Sequence, residues 1–149
     1  MTAGYSGTPL PKKLGIQEGH QVALIGAPPD FADTLGELPP GVAVAHELTG
    51  IVPFDVILLF TMRQSDLERA FLAAAVRLAT GGGLWVAWPK QASGFVTDVT
   101  EHSVRRVGLA SGLVDNKVCA IDDTWSGLRF VVRVKDRVHR DQGEISGAV

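Results

Sequence analysis

The stretch from Ser65 to Lys90, SDLERAFLAAAVRLATGGGLWVAWPK, decides how this chain folds. Ser65 and Glu68 have the S-x-x-E spacing of a helix capping box, which satisfies free N–H groups of the first turn. Apolar side chains then recur at helical spacing on one face, at Leu67, Phe71, Ala74, Ala75 and Leu78. We expect Gly81 to Gly83 to end this helix and Leu84 to Trp88 to form a buried strand. The pattern predicts one α/β unit of a doubly wound sheet.

Further strands are predicted on both sides of this unit. They are Val22 to Gly26, Val42 to Ala45, Val56 to Phe60, Lys117 to Ile121 and Leu128 to Val134. The last two flank a turn and are expected to pair as an antiparallel hairpin. Residues 47–55, between the second and third strands, are too few for a crossover helix but enough to step over one neighbouring strand. The predicted fold class is α/β, a reduced Rossmann sheet of about six mostly parallel strands with a C-terminal antiparallel hairpin.

Two further helices and the domain limits complete the predicted organisation. A short helix is expected from Asp30 to Leu38, with Asp30 as its N-cap. Another is expected to begin at Asp98 and Glu101, with Asp98 as its cap, and to run towards Gly112. Residues 1–13, rich in Gly, Ser, Thr and Pro, predict an irregular arm. Residues 14–134 then form a single Rossmann-like domain, and residues 135–149 a flexible polar tail.

Composition excludes several classes of function. The 149 residues carry a formal net charge of −2, which gives no general attraction to nucleic acid or to an anionic membrane. No apolar run approaches the roughly 20 residues of a membrane span, and the N-terminus lacks a signal-peptide core. One cysteine allows no internal disulfide, and the four scattered histidines indicate no metal site. We expect a soluble cytoplasmic protein.

Four segments match, in order, the core of a class I Rossmann-type methyltransferase. They are Leu14-Gly15-Ile16 with Gly19, Phe54 to Leu59, the helix with Gly81 to Leu84, and the final hairpin. More narrowly, residues 3–10 (AGYSGTPL), 87–90 (AWPK) and 123–128 (DTWSGL) resemble a bacterial family, domain of unknown function 3052. The resemblance implies a methyltransferase-like fold and brings no established activity with it.

The loop after the first strand bears on cofactor binding. S-adenosylmethionine sites of this fold have a G-x-G-like loop there, whereas this chain has Gly26-Ala27-Pro28-Pro29. Each proline removes an N–H and fixes φ, so the loop is stiff and poor in donors. Glu47, 21 positions beyond Gly26, has the spacing of the ribose-binding carboxylate of dinucleotide folds. The alternative for Glu47 is a solvated surface carboxylate, so S-adenosylmethionine stays a possible cofactor with a degenerate motif.

The remaining ligand-binding candidates follow later strands, because ligands of open parallel sheets bind at the carboxyl ends of strands. Trp88 offers a ring and an N–H donor, and Lys90 a point charge for a carboxylate or phosphate. Alternatively, Trp88 fills the core and Lys90 faces solvent. Trp125, in the hairpin turn, could cap a pocket or pack on the sheet. Asp123, like Asp122, is a turn former with a possible acid role.

Three functional hypotheses follow. The preferred one is a Rossmann module that binds a small ligand or a protein partner without the usual cofactor loop and without catalysis. The second is an S-adenosylmethionine-dependent methyltransferase with an aberrant first loop, which would need Glu47 on the ribose. The third is a structural subunit that forms a homodimer through an edge strand or exposed tryptophans. Fold alone does not decide among them.

Overall fold

The computed structural model describes residues 7–137. The predictions for residues 1–6 of the arm and for nearly all of the tail therefore lie outside the described residues. The helices are α1 (Leu10–Leu14), α2 (Phe31–Leu35), α3 (Gln64–Val76) and α4 (Glu101–Ala110). The strands are β1 (Gln21–Ile25), β2 (Ala43–Ala45), β3 (Phe54–Phe60), β4 (Leu78–Pro89), β5 (Leu113–Ala120) and β6 (Trp125–Val132).

The six strands form one sheet in the order β2-β1-β3-β4-β6-β5. The first four strands pair in parallel, and β6 pairs antiparallel with both β4 and β5. The link from β2 to β3 contains no helix and steps over β1, as its length predicts. The predicted α/β class, the mostly parallel six-stranded sheet and the C-terminal hairpin are confirmed.

Each face of the sheet buries its own apolar cluster, because successive side chains of a strand point to opposite faces. On one face α3 and α4 cover the sheet, and the Phe71 and Phe130 rings meet edge to face at 5.4 Å. On the other face α1 and α2 pack over Trp85, Phe60 and Trp125. The sheet is thus a central layer with both faces covered, and the carboxyl ends of its parallel strands lie at one edge.

The predicted caps of α3 and α4 are wrong. Helix α3 begins at Gln64, and no side chain at its N-cap position bonds the first turn. Instead the Asp98 carboxylate, 34 positions later, accepts the Gln64 N–H at 2.7 Å. Helix α4 has a true capping box, in which Thr100 and Ser103 exchange side-chain and main-chain bonds. Asp98 therefore caps the neighbouring helix α3, to which the tertiary fold brings it, and not the helix that follows it in the sequence.

The glycine triplet does not end α3. That helix ends at Val76, and Gly81 to Gly83 lie inside β4. A Cβ at Gly82 would press on the Asp55 carbonyl, and a Cβ at Gly83 would occupy the place of the Arg129 guanidinium. Gly82 and Gly83 therefore allow close approach across the sheet, and the triplet does not act as a C-cap.

Two other expectations are corrected at the chain ends. Leu10–Leu14 is a helix with both leucines buried, so the irregular arm ends before Leu10. In the hairpin, Trp125 is the first residue of β6 and not a turn residue. The turn is shorter than predicted because the Asp122 carboxylate accepts the N–H groups of both Thr124 and Trp125 at 2.8 Å.

Candidate functional site

A cavity of about 530 Å³ opens at the carboxyl edge of the sheet. Strands β1 and β3 end there, and the antiparallel β6 begins there. Its lining residues come from the loop after β1, the end of β3, the segment after β4 and the hairpin turn. They are Gly26, Ala27, Pro28, Pro29, Asp30, Phe31, Thr34, Phe60, Met62, Phe95, Asp122, Thr124 and Trp125. This is the edge at which open α/β sheets bind ligands.

The loop after β1 forms one wall of the cavity. Gly26 has φ +71°, and a Cβ there would lie 3.3 Å from the Phe60 carbonyl oxygen. Any larger residue would meet both backbone strain and this contact, so the position requires glycine. The Pro28 carbonyl accepts the Phe31 N–H at 3.0 Å, which closes a tight turn into α2. The prolines thus fix the wall in one conformation.

Three aromatic rings in successive edge-to-face contact form the floor of the cavity. Phe31 meets Phe60 edge to face with ring centroids 4.9 Å apart, and Phe60 meets Trp125 in the same way at 5.0 Å. All three side chains are buried. We call Phe31, Phe60 and Trp125 the aromatic ladder. It joins the first helix–strand unit to the hairpin and keeps the floor rigid.

The outer rim is apolar and exposed. The side chain of Phe95 is 53% exposed and that of Met62 36%. The rim is held in place by the Thr97 hydroxyl, which donates to the Met62 carbonyl at 2.6 Å. The Ser93 hydroxyl accepts the Phe95 N–H at 3.2 Å. An apolar ligand that entered the cavity would therefore cover surface that water now contacts.

The charged groups of the cavity all have one sign. Asp30 and Asp122 supply carboxylates, and Thr34 and Thr124 supply hydroxyls. Of the residues that the structure describes, no lysine, arginine or histidine lines the cavity. Since Asp122 already accepts two turn N–H groups through one oxygen, Asp30 is the less engaged of the two acids. The cavity is therefore suited to neutral or cationic ligands.

The structure brings three of the seven predicted site residues to this cavity, namely Gly26, Ala27 and Trp125. Glu47 is exposed just beyond β2 and does not line it. Asp123 is exposed on the hairpin turn.

Trp88 and Lys90 are placed away from the cavity. The Trp88 side chain lies in the cluster under α3 and α4, on the opposite face from the aromatic ladder. Lys90 is partly buried, and its N–H donates to the Thr124 carbonyl at 2.8 Å. That bond ties the end of β4 to the hairpin turn, so the main chain of Lys90 supports the cavity from outside.

The lining residues that the sequence did not single out include Phe31, Thr34, Phe60, Phe95 and Thr124, whereas Met62 was expected at this edge without a role. Phe60 and Met62 stand at the end of the clearest predicted strand, so their place at the carboxyl edge was a usable signal. Phe95 lies in an irregular segment, and no sequence pattern places it. A smaller cavity of about 290 Å³ behind the first loop contains His46, which the sequence also left unassigned.

Neither a metal-binding cluster nor a membrane-spanning helix occurs among the described residues. No group of three or more His, Cys, Asp or Glu side chains among residues 7–137 is arranged to hold a metal ion. Over the same residues, no helix has the length and apolar character that crossing a bilayer requires.

Comparisons of the structure with solved proteins find methyltransferases. A SAM-dependent methyltransferase from Aquifex aeolicus aligns over 82% of this chain and 87% of its own, with 16% identity and a TM-score of 0.58. Precorrin-6y C5,15-methyltransferase from Geobacter metallireducens aligns over 83% and 86%, with 12% identity and a TM-score of 0.60. Fibrillarin from Aeropyrum pernix, in complex with S-adenosyl-L-methionine, aligns over 86% and 70%, with 12% identity and a TM-score of 0.58.

These likenesses concern the fold. No protein-family model and no curated protein matches the chain, so the narrower resemblance to domain of unknown function 3052 stays a prediction. The three alignments each cover more than four fifths of this chain, with TM-scores of 0.58 to 0.60. The chain has the Rossmann-like fold of the S-adenosylmethionine-dependent methyltransferases.

Proposed function

We propose that the chain binds a small ligand in the cavity at the carboxyl edge of its sheet, without a glycine-rich cofactor loop. The observation that carries the proposal is the cavity itself, which lies between the proline-stiffened loop and the aromatic ladder. Its volume of about 530 Å³ falls within the range of small-molecule sites, roughly 300–1,000 Å³. A preformed, rigid cavity also lowers the ordering cost of binding.

The lining defines the class of ligand. Aromatic and apolar side chains favour a flat apolar body, which would replace water at Phe95 and Met62. The carboxylates of Asp30 and Asp122 favour positive charge and oppose negative charge. Aromatic faces attract cations as well. The ligand is therefore a flat aromatic molecule that is neutral or cationic.

The test compares two indoles of opposite charge. Calorimetric titration with tryptamine, a cation, and indole-3-acetate, an anion, separates ring recognition from charge recognition. We expect tryptamine to bind more tightly. Phe95→Ala should weaken its binding by about tenfold, because the exposed ring is part of the rim. Val96→Ala is the matched control, since Val96 is 93% exposed and does not line the cavity.

Two results would refute this proposal. Equal binding of the two indoles would remove the charge argument. Equal effects of Phe95→Ala and Val96→Ala would mean that binding takes place elsewhere. The thermal stability of both variants must stay near that of the parent chain, and a melting curve establishes this before the titrations.

A second candidate is an S-adenosylmethionine-dependent methyltransferase. It is favoured by the fold of the neighbours, several of which are described with S-adenosylmethionine or its demethylated product bound. It is also favoured by Gly26, a glycine that lines the cavity in the loop after β1, where S-adenosylmethionine sites of this fold have glycine. The sulfonium of the cofactor is a cation, which agrees with the charge of the lining.

Direct titration with S-adenosylmethionine and S-adenosylhomocysteine tests this candidate. Micromolar binding would support it, and the absence of heat at millimolar ligand would end it. Glu47→Gln should then weaken binding if Glu47 contacts the ribose. Glu18→Gln is its control, because Glu18 is also exposed and lies outside the cavity.

A further inference from the structure

A second site is indicated on the α1/α2 face of the sheet, away from the carboxyl-edge cavity. Arg129 extends from β6, and its guanidinium lies over the main chain of Gly83 in β4. The side chain is partly buried. Within residues 7–137 it has neither a hydrogen bond nor an ion pair with a carboxylate. A guanidinium at such a place normally has an anionic partner.

The neighbouring side chains add positive charge. Lys117 stands directly opposite Arg129 in the β5–β6 ladder, on the same face. Its ammonium donates to the Lys13 carbonyl at 3.2 Å, so it leans towards α1. The Lys13 ammonium donates to the Ala120 carbonyl at 2.9 Å. Arg137 lies close enough to repel Arg129.

The burial of Arg129 and the cations around it disfavour the protonated form of its guanidinium. Burial, and then the positive charge of Arg137, lower the pKa of Arg129 from its ordinary value. An arginine nevertheless stays protonated at neutral pH. The described residues thus hold an uncompensated charge beside other cations, which an anion would stabilise.

Gly83 shows that the geometry is specific. A side chain at this position of β4 would collide with the Nε, Cζ and Nη2 atoms of Arg129. Glycine weakens a central strand, so its use here needs a local reason. The guanidinium of Arg129 is that reason, because it occupies the space that a side chain at position 83 would fill.

We propose that Arg129, with Lys117 and Arg137, binds a small anion that bears a phosphate or carboxylate group. The planar fork of arginine bonds either group through two parallel N–H donors, and the flanking charges add attraction. None of the three residues lines the carboxyl-edge cavity, so this site does not depend on the proposed function.

The experiment measures the melting temperature of the full chain against inorganic phosphate and against malonate, with sodium chloride added to hold the ionic strength constant. We expect a saturable rise with at least one of the two, and the one that acts identifies the group. Arg129→Gln should abolish the rise and should not lower the melting temperature in chloride alone. Arg106→Gln, an exposed arginine on α4, should leave the rise unchanged.

A second variant retains the positive charge of Arg129 but displaces its guanidinium. Gly83→Ala pushes the guanidinium off the strand and should also abolish the rise, although every cation is retained. No saturable effect of either anion on the parent chain would overturn the proposal. An equal rise in the parent chain and in Arg129→Gln would overturn it as well, since binding would then be diffuse.

Discussion

The indole Nε1 of Trp85 donates a 3.0 Å hydrogen bond to the main-chain carbonyl of Leu14 across 71 positions of sequence. Both residues are fully buried. Trp85 lies in the middle of β4, and Leu14 is the last residue of α1. The last carbonyls of a helix have no partner within it, so this bond both satisfies one of them and fixes α1 to the sheet.

Trp85→Phe should therefore lower the free energy of unfolding by about 2–3 kcal/mol, since it leaves a buried carbonyl unpaired and a void beside it. Urea denaturation measures the change. Trp88→Phe is the control, because Trp88 is also buried but its indole makes no hydrogen bond within the described part of the chain. Equal losses in the two variants would show that the bond to Leu14 adds nothing beyond packing.

Arg77 holds the link that replaces a crossover helix between β2 and β3. Its guanidinium donates to the carbonyls of Leu48, Thr49 and Val52 at 2.8, 3.0 and 2.7 Å. It also lies 5.1 Å from the centroid of the Phe54 ring. One side chain thus binds a loop that has no regular hydrogen-bond ladder of its own.

We expect Arg77→Ala to lower the free energy of unfolding by about 3 kcal/mol, because charged donors are removed from three carbonyls at once. Arg69→Ala should cost less than about 1 kcal/mol. The Arg69–Asp66 pair is short at 2.7 Å, but its side chains are 75% and 56% exposed. Faster amide exchange at residues 48–52 in Arg77→Ala alone would locate the effect in the link; no change there would contradict it.

The cap of α3 gives a third prediction. Asp98→Ala removes the acceptor of the Gln64 N–H and should destabilise the chain by about 1 kcal/mol. Ser65→Ala should have almost no effect, because the structure gives α3 no side-chain cap at its own start. Thermal denaturation of the two variants shows whether Asp98 or Ser65 caps α3. A larger loss of stability in Ser65→Ala than in Asp98→Ala would instead support the capping box predicted from the S-x-x-E spacing.

The single cysteine supplies a prediction on pH. Burial raises the pKa of the Cys119 thiol, and the positive charges of Lys13 and Lys117 oppose this only in part. The native thiol should therefore react with a disulfide reagent at pH 8 much more slowly than the urea-unfolded chain does, since the thiolate is the nucleophile. Lys117→Ala should slow the native reaction further. Equal reaction rates of the native and the unfolded thiol would contradict a raised pKa of Cys119.

The elements that could be predicted from the sequence are those determined by residues close together in the chain. The continuous apolar runs at Val22 and Val56 become buried central strands, and the link at 47–55 steps over one strand, as its length predicts. The glycine triplet does not end a helix because Gly82 and Gly83 lie against Asp55 and Arg129, both far away in the sequence. Asp98 was assigned to the wrong helix for the same reason.

The candidate site was only partly predictable, again because its parts meet through the tertiary fold. Gly26 is recognisable from its place after a buried strand. The aromatic ladder joins Phe31, Phe60 and Trp125, which share no sequence spacing that a motif could show. Sequence reasoning could place residues at the carboxyl edge, but it could not show which face of each strand they occupy near that edge.

Gly108, inside α4, gives the last prediction. Alanine normally stabilises the interior of a helix by about 1 kcal/mol relative to glycine. Here a Cβ would collide with the buried ring of Phe130, which packs edge to face on Phe71. Gly108→Ala should instead lower the free energy of unfolding by about 1–3 kcal/mol, because the ring has to move within a filled core.

Gly81→Ala is the matched control, since a Cβ there would meet nothing within 4 Å. It should change the free energy of unfolding by less than about 0.5 kcal/mol. Urea denaturation of the two variants compares the same chemical change at a packed and an open position. A gain in stability at Gly108 would mean that α4 and the sheet can separate at little cost, and that helix propensity outweighs packing at this contact.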